Sequence, residues 1–197
     1  MPVRPALTIA FIVPLALFAC RQQERPPDLR ALIAQLKSPE PEKSGRARLE
    51  LITQGEAAVP ALVEMLRGGD PREQMLAATT LWGMGPRAAT AVPDLAAVLA
   101  LPDPELRLTA AMAFETIGPA ASVAVPGLVK ALSDPDRRVR QAAVKALGSI
   151  GPAARAALPA LTARLKRGSW PEAEEAVLRI RGQEASPEPV GAPSEAR

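Results

Sequence analysis

The sequence predicts an all-α fold, a solenoid of about five stacked helix pairs, and three observations lead there. The motif Ala-(Val or Leu)-Pro-x-Leu-x-x-x-Leu occurs at Ala58, Ala91, Ala124 and Ala157, each copy 33 residues after the last. A fixed step of this length marks units that bury their apolar faces only by stacking on their neighbours. Gly-Pro recurs at the same step, at Gly85-Pro86, Gly118-Pro119 and Gly151-Pro152. Gly accepts the left-handed angles that close a helix, and Pro cannot continue one. Finally, 48% of residues are apolar but only 3% are aromatic. A core of Ala, Leu, Val and Ile suits close helix packing better than a sheet.

Residues 1–20 read as an export signal: Arg4 is a basic start, and Ala6 to Ala19 is an uncharged, mostly apolar run before Cys20. That run is shorter than the ~20 residues a bilayer-spanning helix needs. Residues 21–27 form a short polar tether. From Asp28 the helical period begins, with Leu29, Leu32, Ile33 and Leu36 on one face. Ser38 to Pro41 breaks this helix, and a second, carrying Leu49, Leu51 and Ile52, ends near Gly55.

In each central unit a first helix starts at the Val-Pro step, where the missing Pro N–H would be unpaired anyway. Leucines two and six residues after that Pro share a face. A second helix follows, and Asp70-Pro71, Asp103-Pro104 and Asp134-Pro135 read as Asp caps with Pro in the first turn. Ser169 is expected to cap the last helix, Pro171 to Arg181, which turns Ala173, Ala176, Val177 and Ile180 inward. Residues 28–181 thus form the repeat domain. Residues 182–197, rich in Pro, Glu, Ser and Ala, read as a disordered tail.

Composition limits the chemistry. With no His there is no imidazole base, triad or metal ligand, and with one Cys there is neither an internal disulfide nor a Cys-rich zinc site. The net charge of +3 comes from interspersed charges, not from the clustered basic face that nucleic acid requires. The expectation is a chain that is not an enzyme, holds no cofactor or metal, and binds no nucleic acid.

Two resemblances refine this reading. The end of the signal, Leu17-Phe18-Ala19-Cys20, resembles the lipobox of bacterial lipoproteins. That resemblance implies cleavage before Cys20 and a lipid on its thiol; an ordinary cleaved signal that happens to end in Cys is the alternative. Arg21 after the Cys resembles outer-membrane rather than inner-membrane lipoproteins, so the chain is expected on the periplasmic side of the cell envelope. The repeats lack the His of ankyrin units and the Tyr of tetratricopeptide units. Gly118-Pro119-Ala120-Ala121, Ala124-Val125-Pro126-Gly127-Leu128 and Ser133 to Gly148 resemble HEAT repeats, of the short kind found in phycobilisome-lyase-like proteins. The resemblance implies a right-handed α–α superhelix over residues 28–181. It implies a structural role for Arg107 and Arg140, each four residues after an Asp, at pairing distance on a helix.

A stack of this kind presents its second helices along a concave face. The period buries Ala77, Leu81 and Met84 and their counterparts Ala110, Phe114, Ile117, Ala143, Leu147 and Ile150. The adjoining stripe then faces the groove: Met75, Thr79 and Trp82; Leu108, Met112 and Glu115; Gln141 and Lys145. An apolar strip with Trp and Met is what a protein-binding groove offers. Met75, Trp82, Leu108, Met112, Glu115 and Lys145 are therefore the expected partner-binding residues. A face assignment off by one residue would make them core, with Trp82 filling the gap beside Gly83. The leading expectation is a lipid-anchored adaptor holding a protein or peptide partner. The alternatives are a lyase-like chaperone, against which export argues, and a purely structural spacer.

Overall fold

The computed structural model describes residues 28–182 apart from 167 and 169. The expected signal with Cys20, the tether, the Ser169 cap and the expected tail beyond Gly182 lie outside the described residues. The described chain forms five successive helix pairs: α1 (Leu29–Leu36) with α2 (Pro41–Gln54), α3 (Val59–Gly68) with α4 (Pro71–Met84), α5 (Val92–Val98) with α6 (Pro104–Ile117), α7 (Val125–Ala131) with α8 (Arg137–Ile150), and α9 (Leu158–Leu165) with α10 (Pro171–Arg181). The pairs stack in chain order into a right-handed α–α superhelix. The even-numbered helices lie directly against one another, α2 on α4 on α6 on α8 on α10, and form the more closely packed layer. That is what the inner side of a curved stack requires.

The Gly-Pro punctuation works as expected, with one refinement. Gly55, Gly85, Gly118 and Gly151 close the second helices of their pairs with φ of 62°, 55°, 72° and 67°. Their ψ values of −130° to −139° lie outside the left-handed helical region, in a region open essentially to Gly alone. From each of these Gly residues a 3-10 segment runs to the Ala of the repeated motif: Gly55–Ala58, Gly85–Ala91, Gly118–Ala124 and Gly151–Ala157. The next helix continues from it with Pro in its first turn. No side chain caps these starts. The 3-10 turn occupies the place where a cap would be.

Two of the three expected Asp caps form. The Asp70 carboxylate accepts from the Glu73 N–H, and that of Asp103 from the Glu105 N–H, both at 2.8 Å. Asp134-Pro135 is a correction: α8 starts two residues later, and Asp136 caps it by accepting from the Arg138 N–H at 2.7 Å. Asp136, not Asp134, lies one 33-residue step after Asp103. α10 begins after Trp170, which contributes no side-chain cap.

The core forms as the period predicts. Ala77, Leu81, Met84, Ala110, Phe114, Ile117, Ala143, Leu147 and Ile150 are all buried, as are Ala173, Ala176, Val177 and Ile180 of α10. In the first helices, Leu62, Leu95, Leu128 and Leu161 are fully enclosed. Pro104–Ala131 is long and apolar enough in composition to cross a membrane. Its Gly118 angles divide it, however, and α6 and α7 both pack against α8. Its apolar character therefore serves the middle of the stack.

Candidate protein interface

The expected partner-binding residues do share one face of the second-helix layer, but to unequal depth. Trp82 is 37% exposed, and Leu49, which the period places one step earlier on α2, is 63% exposed. Because α2 lies against α4, the two form an exposed apolar step at the first-repeat end of the face. Leu49 was not among the expected binding residues, although the spacing from 49 to 82 is the repeat step itself. Met75, Leu108 and Met112 lie lower, partly buried against the core. The Thr109 hydroxyl sits 3.6 Å from the Met75 sulfur and also donates to the Glu105 carbonyl at 2.8 Å. These three side chains make the floor of the face, while Trp82 and Leu49 stand above it.

The gap once open to Trp82 beside Gly83 does not exist. A Cβ on Gly83 would lie 2.8 Å from Ile52 Cδ1, so Ile52 already fills that space. Trp82 does not fill that space and is exposed instead.

Toward the other end the face becomes polar. Glu115 and Lys145 come together with Ser149, Glu175 and Arg179 around a shallow hollow of about 150 Å³ between α6, α8 and α10. Arg179 donates to Glu175 at 2.6 Å within α10. Thr79, half-buried, turns its hydroxyl back to the Met75 carbonyl at 2.8 Å and offers little to a partner.

The expected pairing of Arg107 and Arg140 with the Asp four residues before does not form. Arg107 reaches forward into the next unit, where its Nε and Nη2 donate to the two oxygens of Asp134 at 2.8 and 2.9 Å. Its Nη1 donates to the carbonyls of Leu101 and Pro102. Both side chains of the pair are largely enclosed, 11% and 7% exposed. The Arg107 guanidinium holds the Asp134 carboxyl below its usual range and is itself raised by that bond. Arg138 pairs across to Glu105 at 2.6 Å, and its guanidinium is raised by Asp136 and Glu105. The structural role inferred from the resemblance is thus filled by Arg107, through a different acid.

Residues 92–180 match the family model of HEAT repeats. That stretch carries HEAT repeats. No curated protein sequence matches it significantly. Among solved structures, it is similar to a chain of the complex of CpcE and CpcF of phycocyanin lyase from Nostoc sp. PCC7120, with 20% identity, a TM-score of 0.59, and 78% of this chain and 97% of that chain covered. It is also similar to an engineered protein, at 24% identity and TM-score 0.56, covering 78% of this chain and 77% of that one. A third neighbour is a designed armadillo repeat protein in complex with the peptide (KR)4, at 18% identity and TM-score 0.57, covering 78% and 80%. At these identities the HEAT solenoid shares a fold with each of them, and the likeness goes no further.

Proposed function

We propose that this HEAT solenoid is a non-enzymatic adaptor that holds a protein or peptide partner along its second-helix face, tethered to the bacterial cell envelope through lipid on Cys20. The observation that carries the binding part is the exposed pair Leu49 and Trp82 on adjacent helices, above a floor of Met75, Leu108 and Met112. Exposing a Trp beside a Leu costs solubility unless something covers them. Trp is among the residues enriched at the anchoring positions of protein interfaces. A designed armadillo repeat neighbour that holds a peptide supports the same use of a stacked-helix face. The anchoring part rests on the Leu17-Phe18-Ala19-Cys20 sequence alone.

The test is site-specific crosslinking in the native envelope. A photoreactive residue at position 82 is expected to capture a discrete partner, and one at Val123, exposed in the 3-10 segment Gly118–Ala124, to capture none. Trp82→Ala with Leu49→Ala is expected to lower affinity about thirtyfold, the effect of losing one strong anchor, with unchanged thermal stability. Equal crosslinking at both positions would overturn the binding assignment. Loss of fatty-acid labelling in Cys20→Ala tests the anchor separately.

A further inference from the structure

Arg107 and Arg140 occupy the same place one repeat apart, and the backbone holds them in the same way. Arg107 Nη1 donates to the carbonyls of Leu101 and Pro102 at 2.9 and 2.7 Å; Arg140 Nη1 donates to those of Asp134 and Pro135, each 33 residues further on, at 2.7 and 3.0 Å. The difference lies at the other edge of the guanidinium. For Arg107, Nε and Nη2 grip Asp134, 27 residues on. The residue 27 positions after Arg140 is Arg167, so the sequence supplies no acid at that step. Among the described residues no carboxylate bonds to Arg140.

Arg140 instead lines an open cleft of about 580 Å³ between α8 and the last pair, together with Arg137, Gln141, Arg164, Trp170 and Glu172. The Arg164 guanidinium lies over the Trp170 ring, 5.4 Å from its centre, a cation–π contact that holds both at the wall. Three guanidinium groups face one carboxylate, Glu172, so the cleft has an excess of positive charge. Gln141 continues the line of Met75 and Leu108 at the repeat step, so the cleft opens onto the end of the second-helix face.

We propose that this cleft binds an acidic side chain of an extended peptide segment, whose carboxylate takes the Arg140 fork as Asp134 takes that of Arg107. A planar two-oxygen acceptor fits the Nε/Nη2 edge with two parallel bonds. Arg137 and Arg164 add charge, and the Trp170 face takes an apolar neighbour in the peptide. The partner is a peptide because the cleft continues the face assigned above to a protein partner. The inference therefore rests on that reading and names the chemistry of its far end.

The experiment is fluorescence anisotropy of the full chain with a labelled oligo-glutamate peptide, and with the same peptide made of glutamine. The acidic peptide is expected to bind at least tenfold more tightly. Arg140→Gln is expected to weaken it about tenfold, since two doubly charge-assisted bonds to the peptide go, and to leave the protein folded with a slightly lower melting temperature, since the two bonds of Nη1 to backbone carbonyls are lost but no ion pair is broken. Arg138→Gln, whose guanidinium is committed to Glu105 and Asp136, is expected to leave binding unchanged. Equal loss in both variants means a diffuse positive field and overturns the proposal. So does displacement of the peptide by inorganic phosphate at a far lower concentration than acetate needs, because a site that binds by charge alone prefers the more highly charged ion. A crosslink at position 82 without acidic-peptide binding refutes this inference alone. Binding that depends on Arg140 without any crosslink at position 82 refutes the adaptor reading and leaves the cleft.

Discussion

The α6–α8 interface and the α8–α10 interface are built on one repeat step, yet they close differently. Between α6 and α8 the fold uses polar ties, with Arg107 on Asp134 at one end and Arg138 on Glu105 alongside. Between α8 and α10 there is no such tie among the described residues. Ala173 stands where Arg140 and Arg107 stand one and two steps earlier. Gly148 lets the α10 backbone come close: a Cβ on it would lie 3.3 Å from Ala176 Cα. The inner interface is thus fastened by charge and the outer one by small-residue contact. An arginine whose counterpart is paired with an acid at the inner interface lines an open cleft at the outer one, with no carboxylate bonded to it among the described residues. Binding capacity arises here where the internal partner of a repeat residue is missing, with no special insertion.

The largest effect that distinguishes the two interfaces is in the core. Leu147 of α8 and Ile180 of α10 are equivalent by the repeat step, and both are fully enclosed. Helix α8 is packed from two sides, by α6 and α10, so the space left by Leu147→Ala cannot collapse; a loss of about 4 kcal/mol is expected. α10 has the stack on one side only, and Ile180→Ala is expected to cost about 2 kcal/mol. Urea unfolding of the two variants measures both. Equal losses would mean that the outer pair is held as firmly as the inner ones.

Next comes the polar tie. Asp134→Ala strands the Arg107 guanidinium at an 11% exposed position, and a loss of about 3 kcal/mol is expected. The acid side of the stability curve tests the same bond. Because Arg107 lowers the folded Asp134 carboxyl below its usual range, the pair stabilises fully above the ordinary carboxylate value and loses that contribution as pH falls through the lowered one. Wild type is therefore expected to lose stability below about pH 4 more steeply than Asp134→Asn, measured by urea midpoints across the acid range. Parallel curves would show that the tie is not sensed by the fold.

Much of this was legible before any coordinates. Each second-helix residue that the repeat step assigns to the core is buried, since a stack can bury only the face that each unit repeats. What the sequence hid were relations that cross the step. Arg107 looked to Asp103 because four residues make a helical neighbour. Its true acid is 27 residues away, brought near by stacking. Asp134-Pro135 imitated a cap because the dipeptide matched, while the register already pointed to Asp136. Leu49 was readable from its distance to Trp82 but was placed only on the second helix, with Leu51 and Ile52 beside it. The cleft was not readable at all. It needs Arg164 from α9 and Trp170 before α10, in the stretch where the last helix starts one residue late relative to α8.

The smallest effect is also the most discriminating, because two opposing terms nearly cancel in it. Gly148 sits inside α8, where Ala gains about 1 kcal/mol over Gly from helix propensity alone. Against this, the new Cβ would meet Ala176 Cα and Cβ at 3.3 Å, so α10 must yield by a few tenths of an ångström. An internal helix, clamped on both sides, would resist and the substitution would destabilise. α10 is clamped on one side and tied by no ion pair to α8 among the described residues, so it can move. Gly148→Ala is therefore expected to raise stability by about 0.5 kcal/mol, the propensity gain less a small repacking cost. A loss above about 2 kcal/mol, the usual cost of overpacking a rigid site, would mean that α10 is fixed in place and that the outer interface is as stiff as the inner one. The cleft beside Arg140 would then keep one shape, and its ligand would have to fit the opening as it stands.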